Sequence, residues 1–326
     1  MKLNPRQIIG ISLLVIAIIA LGWFFLNSGG TPSNPTLQAA WQTNFGEPGL
    51  IAEALINTPI FEEEGTKAKM VSFSFGAPIV EAALANKVDA AFLGWMPATN
   101  LLSKSDEWLV VARLINFKEF IIVKKDSPIS TINDLNGKKI GVPFGQGPYP
   151  YVIKALEQEG FTIGKDVELV NIQPADLPSA LNLNQVDAVA WGGSLYAATV
   201  GKGTAKTIAS FEDNGLILVS KKFAREHPDQ VKRFLQSVRR ANFYVSQHKE
   251  ETFVWLTKDS GLTLEFLQSL PLFEPNYTVQ TLNDVNISLS RELVEEIQRR
   301  INFAFSRNII SKRVDLSEVV DQNFLH

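Results

Sequence analysis

The residues best placed to bind a ligand lie in short glycine-containing loops, each of which follows an apolar stretch and precedes or contains a proline. The loops are Ser74-Phe75-Gly76-Ala77-Pro78, Gly94-Trp95-Met96-Pro97 and Gln146-Gly147-Pro148-Tyr149. In each, the apolar stretch predicts a strand and the proline predicts the first turn of a helix. Backbone N–H groups at the start of a helix bind anions, helped by the helix dipole. The loops therefore predict a site for an anionic group at the carboxyl ends of strands.

Residue types that support covalent or metal chemistry are scarce in this chain. It contains no cysteine and three histidines, His227, His248 and His326. The first two lie in polar stretches that predict helix surface, and the third is the last residue. No metal-ligand spacing or catalytic triad can be assembled from them. We therefore expect no catalytic residue, no metal site and no cofactor.

Length and charge narrow the class of protein. A chain of 326 residues predicts about two domains, and 45% apolar residues can fill a large core. The net charge of −3 argues against nucleic acid as a partner, because binding phosphates requires a basic surface.

The N-terminal segment predicts export. Lys2 and Arg6 precede an uncharged stretch over residues 8–26, which is long enough to span a bilayer as a helix. A Gly- and Pro-rich linker over 27–35 follows. The basic residues predict a cytoplasmic N-terminus with the rest exported to the periplasm or cell surface. The stretch is either a retained membrane anchor or a cleaved signal, and the sequence leaves both open.

The strands and helices that position the loops form two similar series. Strands are predicted over 36–41, 71–75, 89–93, 108–116, 119–123, 167–171, 188–191, 207–211 and 215–219, with one more from the Gly137-Lys138-Lys139 turn to Val142. The stretch Asn86-Lys87-Val88-Asp89-Ala90 is echoed by Asn184-Gln185-Val186-Asp187-Ala188, and a Gly–Trp pair follows each in opposite order. We expect Asn86 to end a helix in the left-handed conformation. The echo predicts two similar lobes.

Several stretches together resemble a known family. They are the first strand with its Gln42 loop, the Ser74–Pro78 loop, Val88-Asp89-Ala90 leading to Gly94 and Pro97, the run from Lys125-Asp126-Ser127-Pro128-Ile129 to Asp134-Leu135-Asn136-Gly137-Lys138-Lys139-Ile140-Gly141-Val142, and Val314-Asp315-Leu316. From residue 36 to 325 the chain resembles the periplasmic solute-binding proteins of ABC importers for nitrate, taurine and alkanesulfonates.

The resemblance implies an α/β, bilobed type II periplasmic binding protein fold with the ligand in the cleft. Two crossing segments, near 120–125 and 215–221, would join the lobes. Residues 36–125 and 215–326 would form lobe one, 126–214 lobe two, and 1–35 the signal or anchor with its linker. The partners would be a small organic anion, an ABC permease and its ATPase, and the membrane through the N-terminal helix. We expect a monomer.

The resemblance and the loops together predict the ligand-binding residues. The candidates are Gln42, Asn44, Ser74, Phe75, Gly76, Trp95, Met96, Gln146, Gly147, Tyr149, Trp191, Gly192 and Ser194. The aromatic members, with Trp41 and Phe45, predict an apolar or aromatic ligand body, although each could instead be core packing. We expect Trp95 and Trp191 to approach the ligand from opposite lobes.

Two departures from the family pattern bear on the ligand. Relatives often carry an acidic residue where this chain has Trp95, and Asp or Glu followed by proline where it has Gly192-Gly193. A carboxylate there could receive a ligand ammonium group, so the departures argue against taurine. Two alternatives stay open: a pyrimidine-precursor binding protein or related enzyme of the same fold, and a tethered sensor.

Overall fold

The computed structural model describes residues 35–43, 46–269 and 272–325, without the side chains of Ser194, Ala197 and Phe266. The predicted signal or anchor at 8–26 and all of the linker except Pro35 lie outside these ranges. Within these ranges, no helix is both long enough and apolar enough to cross a membrane.

Eight strands of the described residues form one mixed sheet. They are β1 Leu37–Gln42, β2 Ala68–Phe73, β3 Ala90–Gly94, β4 Trp108–Lys124, β5 Lys139–Val142, β6 Glu168–Asn171, β7 Ala188–Trp191 and β8 Ala205–Ser220. Their order across the sheet is β2-β1-β3-β8-β4-β7-β5-β6. Helices connect the parallel strands, so the predicted α/β class is confirmed.

Twelve α-helices are described. They are α1 Glu47–Asn57, α2 Ile60–Glu63, α3 Gly76–Leu84, α4 Trp95–Lys104, α5 Pro148–Gln158, α6 Leu177–Asn182, α7 Gly193–Tyr196, α8 Lys221–Glu226, α9 Pro228–Gln247, α10 Lys249–Ser260, α11 Leu264–Ser269 and α12 Arg291–Ser306. Short 3₁₀ turns include Ile132–Leu135.

Strands β4 and β8 are longer than the sequence predicts. Each was expected as two strands, at 108–116 with 119–123 and at 207–211 with 215–219. In the structure each is continuous, and the two pair antiparallel from Trp108 opposite Ser220 to Lys124 opposite Ala205. The polar residues between the predicted strands also pair with the opposite strand. The hydrogen bonds of the sheet are made by backbone N–H and C=O groups, so a polar side chain does not interrupt them. We call this pair of strands the β4–β8 ribbon.

The two strands that flank this ribbon, β3 and β7, end at its middle. β3 pairs with β8 and finishes with Gly94 opposite Gly215. β7 pairs with β4 and finishes with Trp191 opposite Phe120. β1 and β2 run parallel to β3, while β5 and β6 run parallel to β7. The carboxyl ends of both strand groups therefore point, from opposite directions, at ribbon residues 116–119 and 211–214.

The buried core divides at the same place. Two apolar clusters draw their buried members from 37–117 and 216–316. The other two draw theirs from 120–205. We call the residues of the first pair of clusters the first half and those of the second pair the second half.

The echoed residues form matching corners in the two halves. Asn86 and Asn184 both have left-handed backbones, with φ of 54° and 56°, as predicted for Asn86. Asp89 Oδ2 accepts the Gln38 N–H at 2.9 Å, and Asp187 Oδ2 accepts the Lys139 N–H at 2.9 Å. Each aspartate thus ties its corner to a neighbouring strand.

Candidate functional site

Four helices begin at the strand ends that face the middle of the ribbon. Helices α1, α3, α4 and α5 follow β1, β2, β3 and β5, and among the described residues none of their N-termini receives a side-chain cap. By contrast, α8 and α12 begin elsewhere and are capped by the hydroxyls of Ser220 and Ser290. At α1 and α5 the N–H groups of Gly49 and Tyr149 already donate to the carbonyls of Gly46 and Gln146. The starts of α3 and α4 are therefore better placed to offer free N–H groups to an anionic ligand.

Loops of the two halves meet at these helix starts. A Cβ on Gly76 would stand 2.9 Å from Pro97 and 3.1 Å from Gln146 Oε1, so the two loops leave no room for a side chain. Asn100 Nδ2 donates to the Gly145 carbonyl at 2.9 Å. The cleft is therefore bounded by the first half on one side and the second half on the other.

Aromatic rings form one wall between the halves. Trp95 meets Tyr151 edge to face with ring centroids 6.0 Å apart, and Tyr151 stacks on Phe211 at 5.4 Å. The guanidinium of Arg300 lies 5.4 Å from the Tyr151 ring. Trp95 Nε1 is buried and has no acceptor among the described residues. Such an indole N–H can donate to a ligand.

Two carboxyl groups lie at the base of the cleft. Glu119 and Asp213 belong to the ribbon segment between the two strand groups. Burial raises the pKa of Glu119 well above its usual range, and the neighbouring Asp213 charge raises it further. Burial also raises the pKa of Asp213, to about 7, although Arg300 and the Asn214 N–H oppose the shift.

The structure brings together some of the predicted site residues and separates others. Gly76 and Gln146 face each other, and Gly147 and Gly192 lie against the two carboxyls. Those packed into the interior are Gln42, Trp95, Met96 and Trp191, at 4%, 1%, 0% and 6% exposure. Ser74 is exposed, Phe75 and Tyr149 are half-buried, and Tyr149 stacks on Phe144. Asn44 and the Ser194 side chain lie outside the described residues.

The sequence reading missed the residues at the base of the cleft. Glu119, Asp213, Asn100, Tyr151 and Arg300 were not among the candidates. The first two carried a signal, because each is an acid in or beside a long apolar run. Because those runs were interpreted as broken strands, Glu119 was assigned to the first position of a strand and Asp213 to a connection between two strands. A charged side chain is ordinary at such positions, which are usually exposed to solvent.

The chain matches a known family model. The model described as NMT1/THI5 like matches residues 60–252, which is more than half of the chain. The chain belongs to this family.

Relatives of this NMT1/THI5-like chain are named as binding proteins. One from Bacillus subtilis (strain 168), named for binding aliphatic sulfonates, is 29% identical over 81% of this chain and 79% of its own. The taurine-binding periplasmic protein of Escherichia coli (strain K12) is 31% identical over 61% of this chain and 62% of its own. The match to relatives that bind solutes confirms the predicted resemblance.

Solved structures confirm the fold. The alkanesulfonate-binding protein SsuA from Xanthomonas axonopodis pv. citri, bound to MOPS, superimposes with a TM-score of 0.73 at 21% identity, over 89% of this chain and 99% of that one. The desulfurization enzyme DSZB has the same fold, with a TM-score of 0.65 at 14% identity over 89% and 97% of the two chains. The fold alone therefore does not separate binding from catalysis.

Proposed function

We propose that the chain is an extracytoplasmic solute-binding protein of an ABC import system, which captures a small organic anion and delivers it to a permease. The carrying observation is that the carboxyl ends of two strand groups face one segment of the ribbon. A solute held there contacts both halves, so its binding energy favours closure. The names of the relatives support this role and an exported location.

The division of the core supports a bilobed architecture. In this proposal residues 36–125 and 215–326 form one lobe and 126–214 the other, with the ribbon between 116–119 and 211–214 bending as the lobes close. The change of cluster membership between Phe117 and Phe120 fits such a hinge. Residues 1–35 carry the protein out of the cytoplasm, as a cleaved signal or an anchor.

The wall chemistry supports an anion with an apolar or aromatic body. A cavity of about 350 Å³ lies between α5 and α12. Its lining includes four aromatic side chains, three cations and two acids: Trp95, Tyr151, Phe211, Phe303, Lys154, Arg299, Arg300, Glu212 and Glu296. Aromatic faces accept a flat apolar body, and the excess of one cation over the acids favours a negative group.

The two histidines that the structure describes give no support to the enzyme alternative, which depends on a histidine in the pocket. His227 packs on Phe223 and His248 stacks on Tyr244, all in or beside helices of the first half. The pyrimidine-precursor alternative therefore rests on the shared fold.

The test is thermal unfolding of the purified protein with millimolar sulfonates, nitrate, carboxylates and neutral pyrimidines. A ligand at about 100 times its Kd stabilises the folded state by about 2.7 kcal/mol, which raises the melting temperature measurably. We expect an organic sulfonate to give the largest shift. A shift with neutral pyrimidines and with no anion would replace this proposal with the pyrimidine-precursor alternative.

A further inference from the structure

The cavity between α5 and α12 is lined by both halves of the molecule. One face of α5, over 150–158, lines one side, and one face of α12, over 296–303, lines the other. Val152 and Leu156 of α5 are buried in the second half, whereas Ile297 and Ile301 of α12 are buried in the first. A molecule in this cavity therefore contacts both halves.

Two cations line this cavity without an acidic partner. Lys154 is on α5 and Arg299 is on α12, so one comes from each half. Both are exposed, and neither forms an ion pair or a side-chain hydrogen bond with a residue of the described ranges. Their positive charge is therefore available to a molecule that enters the cavity.

The other charged residues of the lining leave this positive charge in excess. Arg300 forms an ion pair with Glu296 of the same helix, so these two charges offset each other. Glu212 is exposed and has no ion-pair partner in the described part of the chain. Against this single unpaired acid stand the two unpaired cations, Lys154 and Arg299.

Trp95 connects this cavity with the cleft at the strand ends. It is the first residue of α4, whose N-terminus no described side chain caps, and it also lines the cavity. Its ring meets Tyr151 edge to face, and Tyr151 stacks on Phe211. One solute can therefore place an anionic group at the start of α4, its body along these rings and a second group in the cavity.

We propose that the cavity takes a second anionic group of the captured solute, held between Lys154 of one half and Arg299 of the other. This rests on the proposed function, which holds an anion where the strand ends face the ribbon. The ligand class is then a dianion, such as a sulfonate with a carboxylate at the far end of a short apolar or aromatic body. An ammonium and a guanidinium both donate charge-assisted hydrogen bonds to a carboxylate.

The second anionic group also has a consequence for closure. Lys154 and Arg299 repel each other when nothing lies between them, because they carry like charges on facing helices. A carboxylate between them attracts both. The second group of the solute therefore favours the arrangement in which the two halves are together.

The experiment compares solutes that differ only in the charge of the group farthest from the sulfonate. Isothermal titration of the full chain uses para-sulfobenzoate, its uncharged amide and the cationic para-(aminomethyl)benzenesulfonate, with benzenesulfonate as the reference. An aliphatic pair, sulfopropanoate and its amide, covers a shorter body. We expect each carboxylate to bind about fivefold or more tightly than its amide, and the amine to bind most weakly.

The preference for the carboxylate should also depend on salt, since both cations are exposed. Raising the ionic strength from about 0.05 M to about 0.5 M shortens the screening length to about 4 Å. We expect the preference to fall by at least half. A preference that salt does not change would overturn its assignment to Lys154 and Arg299.

The outcomes separate this inference from the proposed function. Sulfonates that bind equally well with the carboxylate and with the amide overturn the second anionic group and leave the proposed function standing. Tighter binding of the amine overturns it as well, and points to Glu212 as the charge that the solute meets. Binding of none of these sulfonates overturns both.

Variants at exposed positions test the two residues without disturbing the core. The double variant Lys154→Gln with Arg299→Gln should bind carboxylate and amide within about twofold of each other, while its affinity for benzenesulfonate is retained. Lys165→Gln in the second half and Arg291→Gln on α12 remove other exposed cations and should keep the full preference. If the double variant keeps the preference, the two cations do not hold the second group.

Discussion

The two halves agree at their echoed corners and differ in the residues beyond each corner. Asn86 and Asn184 turn the chain in the same left-handed conformation. Further along, β3 runs on through Gly94 so that a tryptophan begins α4, whereas β7 ends on Trp191 and glycines come next. The two tryptophans are thus two positions apart in the matched series. The echoed residues hold strands together, and the halves diverge where they face the cleft.

Replacing Trp95 or Trp191, the residues at which the two halves differ, should give the largest change in stability. Both indoles are buried, which favours the core-packing interpretation. Trp95→Ala and Trp191→Ala should each lower the free energy of unfolding by about 3–5 kcal/mol. Denaturant melts of the ligand-free variants measure this, with the half-buried Trp255→Ala as a milder control. Little loss of stability, with roughly tenfold weaker solute binding, would restore the predicted tryptophan clamp.

The pH dependence of stability tests the base of the cleft. Burial raises the pKa of Asp213 from 3.8 to about 7. In that window the folded state binds the proton more tightly than the unfolded chain, so this group's contribution to stability falls as pH rises. Between about pH 5 and about pH 8, Asp213→Asn should lose less stability than the parent, by on the order of 2 kcal/mol.

Urea unfolding of ligand-free protein at the two pH values gives the comparison. Glu107→Gln, which removes an exposed carboxylate, should follow the parent curve. A fall as steep in Asp213→Asn as in the parent would show that the cleft acids do not titrate in this window.

The corners test the agreement between the halves. Alanine disfavours the left-handed conformation, so Asn86→Ala and Asn184→Ala should each cost about 1–2 kcal/mol of unfolding free energy. Glycine at the same positions should recover most of the loss, because it adopts positive φ freely. Chemical denaturation of the four variants provides the measurement. If alanine lowered the free energy of unfolding at only one of the two positions, the repeated sequence would not mean that the two corners stabilise the protein equally.

An ion pair between the halves gives the smallest effect. Arg307, just after α12, donates to both carboxylate oxygens of Glu157 on α5, at 2.7 and 2.8 Å. Exposed pairs contribute about 0.2–1 kcal/mol, so Arg307→Gln should weaken solute binding by no more than about fivefold. The control is Arg291→Gln, whose partner Glu295 lies on the same helix. Equal affinities of the two variants would mean that the Arg307 pair does not favour closure.

Patterns with a local cause were predictable from the sequence. The glycine loops, the helix starts and the left-handed Asn86 follow from backbone preferences of single residues. Helix α9, Pro228–Gln247, buries Val231, Phe234, Leu235 and Val238, and this helical spacing of apolar residues is visible in the sequence. The family resemblance, carried by the Asp126–Val142 run, supplied the bilobed arrangement that spacing alone does not give.

The base of the cleft was not predictable, because it depends on pairing between distant residues. Glu119 is next to Asp213 only through the ribbon register, across more than ninety residues of chain. Because the sequence analysis predicts two separate strands in place of each of β4 and β8, it gives no pairing between residues 119 and 213. A better rule is that an acid inside a long apolar run indicates a buried carboxyl when a second such run can pair with the first as a strand.

The β4–β8 ribbon also limits how the molecule deforms. Its strands share hydrogen bonds along their length, so neither can bend or stretch without the other. Register irregularities at Val110–Ala112, Arg113–Ile115 and Ile121–Ile122 lie on either side of the middle segment and concentrate twist there. The connection therefore behaves as one elastic element with few degrees of freedom. In the proposed closure, each half would therefore follow a restricted path, and the outer surface would take a small number of distinct shapes that another protein can distinguish.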